Sequence, residues 1–83
     1  MGSYEDMLAA TREIIAKHVD LGRPIRADDH IQNDLGLDSL GIMEVVVDIE
    51  DRFDLQIPIE TLSEFATVDD VAKALSKLKE ERS

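Results

Sequence analysis

The residues Tyr4, Met7, Leu8, Thr11, Ile14, Ile15 and His18 recur at spacings of three and four, the period of a helix with one inward face. Ser3-Tyr-Glu-Asp6 at their start has the form of a capping box with Asp in the Glu position. A first helix over 4–19 is predicted, ended by Gly22 and Pro24. Residues 20–38 then lose the period. Isolated apolar residues (Ile25, Ile31, Leu35, Leu37) stand among Asp28, Asp29, Asn33 and Asp34. A connection that long in a small domain is either functional or packed through its own side chains, and the four apolar anchors predict packing.

The helical period returns at 39–53, where Ile42, Val45, Val46, Ile49 and Phe53 gather on one face at about 100° per residue. The β-branched run Val45-Val46-Val47 invites a strand, but the acids at 44, 48, 50 and 51 do not alternate as a strand's outer face would. Pro58 suits the start of a short third helix whose apolar side is Ile59, Leu62 and Phe65. Thr67-Val-Asp-Asp70 is a second capping-box variant. It opens a fourth helix with Val68, Val71, Ala72, Leu75 and Leu78 inward, and Lys73, Lys77 and Lys79 placed to suit the macrodipole. The expected fold is all-α: a small four-helix bundle of three main helices and one short one, with a long loop between helices 1 and 2.

Eighty-three residues form one domain, 1–83, with a small core and little room for an enclosed active site. Met1-Gly2-Ser3 reads equally as a cloning remnant. Asp6 stands where a myristoylation motif needs Ser or Thr. Short length and intact caps favour a free-standing chain. No run of 18 apolar residues and no signal core occurs, so a cytoplasmic protein without membrane contact is expected. The absence of cysteine means that any thiol chemistry is imported.

The charge of −10 is unevenly spread. Residues 27–72 hold thirteen acids and one base, Arg52. Such a field repels nucleic acid and steers basic protein surfaces towards itself. A calcium loop is ruled out, because Ile31 and Asn33 follow Asp29 at the next ligand positions and Asp34 stands where glycine is needed.

At the start of the second helix stand two residues able to cap it, Asp38 and Ser39. One cap is enough. With Asp38 as N-cap, Ser39 falls at the first helical position with an outward hydroxyl, beside free backbone N–H groups that favour a phosphate ester. Gly36 and Gly41 on either side keep the approach clear. On the helix face opposite the core lie Leu40, Met43, Glu44, Val47, Glu50, Asp51 and Asp54: an apolar strip flanked by carboxylates, suited to a partner with a basic rim and an apolar centre.

"DLGLDSL", followed by "IMEVVVDIEDRFDLQIP" and "ATVDDVAKAL", resembles the acyl carrier proteins of fatty-acid and polyketide synthesis over nearly the whole chain. The resemblance implies that Ser39, flanked by Asp38 and Leu40, receives 4′-phosphopantetheine from coenzyme A through a phosphopantetheinyl transferase. It implies a monomeric carrier rather than an enzyme, serving acyl-processing synthases and transferases with basic docking patches. Glu44, Glu50 and Asp51 match the carboxylates that such partners read, and Leu40 and Val47 the apolar contacts between them; Met43 lies on the same face. Gly41 stands where many members carry an acid. "GLDSL" differs from the Gly-Gly-x-Ser of peptidyl carriers, which leaves an aminoacyl carrier as a secondary reading.

An esterase fits poorly. Gly36-Leu-Asp-Ser39-Leu-Gly41 is one residue too long for a nucleophile elbow, and His18 and His30 read as surface or packing residues. The competing reading is an unmodified acidic helical interaction module, which differs from the carrier only at Ser39.

Overall fold

The computed structural model, which describes residues 3–82 and leaves out the side chains of residues 3 and 82, contains α1 (Ser3–Ala16), α2 (Ser39–Phe53), α3 (Ile59–Leu62) and α4 (Val68–Arg82). The bundle expected from the hydrophobic spacing is the fold observed. Among the described residues the nearest thing to a strand is an isolated bridge between His30 and Thr67. The myristoylation and cloning-remnant readings, which turn on Met1 and Gly2, and the first capping box, which needs the Ser3 side chain, lie outside what is described.

α1 lies chiefly against α4, with a smaller contact to α2. It contributes Met7, Ile14 and Ile15 to the core, α2 contributes Val45, Val46 and Ile49, and α4 contributes Val68, Val71, Ala72 and Leu75. Fully buried Ile49 and Leu75 each gain about 1.5–3 kcal/mol from leaving water. Ile42, Phe53 and Leu78 are partly buried against the same core, so the predicted inward faces of α2 and α4 are correct.

Helix α1 stops earlier than its spacing predicts. Lys17 N–H donates to Ile14 O at 3.1 Å and His18 N–H to Ile15 O at 2.9 Å, so the chain tightens into a turn well before Gly22 and Pro24.

The long loop packs as expected, with Ile25, Ile31, Leu35 and Leu37 all buried. Its backbone is sewn to the start of α4. Ile31 N–H donates to Ala66 O (2.9 Å), Val68 N–H to Asp29 O (3.1 Å) and Asp69 N–H to Ala27 O (2.8 Å). The Asp29 carboxylate, 6% exposed, accepts both ends of the Arg23 guanidinium at 2.8 and 2.9 Å and the Arg26 N–H at 2.7 Å. Those donors hold its carboxyl below the ordinary aspartate range, the Arg23 bond contributing most.

The α4 capping box forms with Asp in the Glu position. Thr67 Oγ1 accepts Asp70 N–H at 3.2 Å, and Asp70 Oδ2 accepts Thr67 N–H at 3.0 Å. Tyr4 of α1 donates to Asp69 in the same turn, and Lys73 Nζ reaches Asp69 at 3.0 Å.

Helix α3 corrects one expectation. It has a single turn after Pro58, and Ile59 is 80% exposed instead of sharing the inward side with Leu62 and Phe65. One turn is too short to hold three residues on one face.

Candidate functional site

The start of α2 settles which residue caps it. Asp38 has extended backbone angles (φ −89°, ψ −175°), its Oδ1 accepts Gly41 N–H at 2.8 Å, and its carbonyl accepts Ile42 N–H at 2.9 Å. Ser39 is therefore the first helical residue. It is exposed, and its hydroxyl makes no hydrogen bond among the described residues. The backbone N–H groups of Ser39 and Leu40 likewise have no acceptor among those residues. Two unpaired donors and the positive end of a four-turn helix surround one free hydroxyl.

The neighbouring glycines have backbone and packing reasons of their own. Gly36 has φ +73°, a left-handed conformation that favours glycine, while nothing stands near the Cβ it lacks. A Cβ on Gly41 would lie 2.9 Å from Leu37 Cδ2 and 3.3 Å from Asp38 Oδ1. Leu37 thus leans on the bare backbone of α2 beside the cap. Leu37 also closes one side of an internal cavity of about 10 Å³ lined wholly by apolar side chains, among them Ile31, Ile42, Val46 and Phe65.

Along the outer face of α2, Leu40, Met43 and Val47 are 69%, 47% and 55% exposed. With His18, Glu44 and Asp48 they line an open groove. The Glu44 and Asp51 side chains have no partner among the described residues. Glu50 differs: it is half-buried, and its Oε2 accepts Ile57 N–H at 2.9 Å. Arg52, the lone base of the acidic stretch, leans to Glu13 of α1 at 3.4 Å.

Both histidines are engaged. His18 Nε2 lies 2.6 Å from Asp48 Oδ2, and His30 Nδ1 accepts the Gln32 and Asn33 N–H groups at 3.2 and 3.1 Å. Neither bonds to Ser39. The contacts of Glu50, Gly41 and His18 were not foreseen from the sequence, since each joins residues whose proximity depends on how the chain packs.

Residues 10–75 match the family described as the phosphopantetheine attachment site. The chain belongs to the acyl carrier proteins. It is 39% identical over 77 residues to the Caulobacter vibrioides protein named "Probable acyl carrier protein", covering 93% of this chain and 85% of that one. An acyl carrier protein of Prochlorococcus marinus is 35% identical over 78 residues, covering 93% and 98%. Among solved structures, a candidate acyl carrier protein from Mycobacterium tuberculosis superposes with a TM-score of 0.79 at 30% identity, covering 86% of this chain and 96% of that chain. Acyl carrier proteins bear phosphopantetheine and work with phosphopantetheinyl transferases and synthases. This chain fits such a group: an exposed, unbonded hydroxyl at a helix start offers an attachment point, and the adjacent N–H donors suit phosphate oxygens. No described helix is long and apolar enough to cross a membrane.

Proposed function

We propose that Ser39 Oγ bears 4′-phosphopantetheine and that the chain presents acyl groups to enzymes of fatty-acid or polyketide-type biosynthesis. The observation that carries this reading is the division of labour at the helix start: Asp38 makes the cap, and the Ser39 hydroxyl remains free. In the transfer step, Ser39 Oγ gives up its proton and forms a bond to phosphorus, while the pyrophosphate bond of coenzyme A breaks and its nucleotide half leaves. When bound, the group supplies a thiol that holds acyl groups as thioesters. The chain's own part is to fix Ser39 through Asp38, to stabilise the phosphate at the Ser39 and Leu40 N–H groups, and to offer a docking face. On that face Leu40, Met43 and Val47 form the apolar centre, and Glu44 and Asp51 are carboxylates open to a basic partner.

The test is incubation with coenzyme A and a broad-specificity phosphopantetheinyl transferase, followed by intact-mass measurement. The native protein gains one phosphopantetheine increment, and Ser39→Ala gains none. A second reading, an unmodified interaction module, draws on the same exposed apolar and acidic face. An unchanged mass in the folded native protein would decide for it.

A further inference from the structure

We propose that Glu50 is a positioning residue, and that the docking face runs past α2 onto α3, where Ile59 is a fourth apolar contact for a partner with a basic rim around an apolar recess. This rests on the carrier reading.

Both ends of Glu50 hold the connection that follows it. Its carbonyl accepts the N–H groups of Asp54 and Leu55, and its carboxylate accepts that of Ile57 at 2.9 Å. The chain turns through left-handed Asp54 (φ 51°) and is fastened back against the side of α2. Ile57 itself is buried, so the segment is held from the core as well. Ile59 comes two residues later, within about 7 Å along the chain. Val47 precedes Glu50 by three residues on the helix, which makes the two surface neighbours. Val47, Glu50 and Ile59 thereby follow one another from α2 to α3.

Ile59, 80% exposed, is more open to water than any apolar residue of the α2 strip. It contributes little to the core, and a surface that covered it would gain from removing it from water. Its surroundings define the rim of such a surface. Residues 50–64 hold Glu50, Asp51, Asp54, Glu60 and Glu64 against the single base Arg52, and Arg52 is turned to Glu13. A basic rim complements this charge, whereas an acidic one would be repelled.

The probe is the broad-specificity transferase acting on the unmodified chain, with KM and kcat measured separately and the helical circular dichroism of each variant checked. Ile59→Ser is expected to raise KM about tenfold at unchanged kcat. Glu50→Ala raises KM several-fold, while Glu50→Gln stays within about twofold, because the amide oxygen still accepts the Ile57 N–H without the charge. An unchanged KM for Ile59→Ser overturns the proposal. So does Glu50→Gln as impaired as Glu50→Ala, which would mean that the partner reads the charge itself. No modification of the unaltered protein overturns the carrier reading, and this extension with it.

Discussion

Replacing Gly41 with alanine tests the packing around the candidate site, because two effects of known size oppose each other there. In an ordinary helix interior the change stabilises by about 1 kcal/mol. At this position the new Cβ would stand 2.9 Å from Leu37 Cδ2 and 3.3 Å from Asp38 Oδ1, the first well inside the 3.5–4.0 Å at which carbon atoms attract. Leu37 is 7% exposed, and the cavity beside it, about 10 Å³, is too small to accept a displaced methyl group. Overpacking of this kind costs about 1–3 kcal/mol, and disturbing Asp38 removes part of a cap worth about 1 kcal/mol. The clash wins. Gly41→Ala is expected to destabilise by about 1 kcal/mol, which lowers Tm by about 4–8 °C in a domain of this size. Thermal and urea unfolding measure it. Leu37→Ala removes the clashing atom at about 2–4 kcal/mol, within the ~4–12 kcal/mol that a chain of this length commands. In that background Gly41→Ala should raise Tm, a reversal of sign that the double-mutant cycle reads as coupling of about 2 kcal/mol. A stabilising Gly41→Ala in the native background, or the same sign in both, would refute the reasoning.

Two further outcomes follow from the electrostatics of the loop and of α4. The Asp29 carboxyl is held below its ordinary value of 3.8, so the native state binds fewer protons than the unfolded chain as pH falls through that region. Its stabilisation is complete above the ordinary value and is lost as pH drops through the lowered one; Asp29→Asn should lower Tm at pH 7 and flatten the acid limb of the Tm–pH curve. Tyr4 is the sole tyrosine, there is no tryptophan, and its hydroxyl is held above its ordinary value of 10.0, first by the hydrogen bond to Asp69. An ultraviolet titration should place phenolate formation above that value, and Asp69→Asn should bring it down; an unmoved midpoint would contradict the contact.

The elements were legible in the sequence because each signal was local. Asp38 before a three-and-four apolar period fixes where α2 begins, and Thr67 with Asp70 fixes α4, in both cases through bonds within one turn. The four loop anchors were equally readable, since an apolar residue amid acids has few destinations other than the core. What they are fastened to was not. The bond from Ile31 to Ala66 joins backbone groups that look alike in any sequence and meet only after α1 and α4 have packed. Ile59 was assigned to the wrong side because the period assumes a helix of several turns, and α3 has one. Gly41 was read as clearance for an approaching enzyme, although its lack of a side chain is also what lets Leu37 sit against α2. At Glu50 the family resemblance points to a carboxylate that partners read, whereas the bond to Ile57 gives it work inside the fold.

The fold and the candidate chemistry are separable at Ser39, and that separation explains the paired capping residues. If Ser39 capped α2, modifying its hydroxyl would remove the cap, and stability would change each time the group was added or taken away. Asp38 takes that task with Oδ1, in a bond to Gly41 N–H that does not involve the Ser39 side chain. Ser39 Oγ contributes no hydrogen bond among the described residues and no burial. Its loss in Ser39→Ala should therefore leave Tm within about 2 °C, the range of a surface substitution worth under ~0.5 kcal/mol, while Asp38→Ala should cost about 1 kcal/mol. The reverse order of these two would place the cap on the serine and leave no free hydroxyl for a prosthetic group.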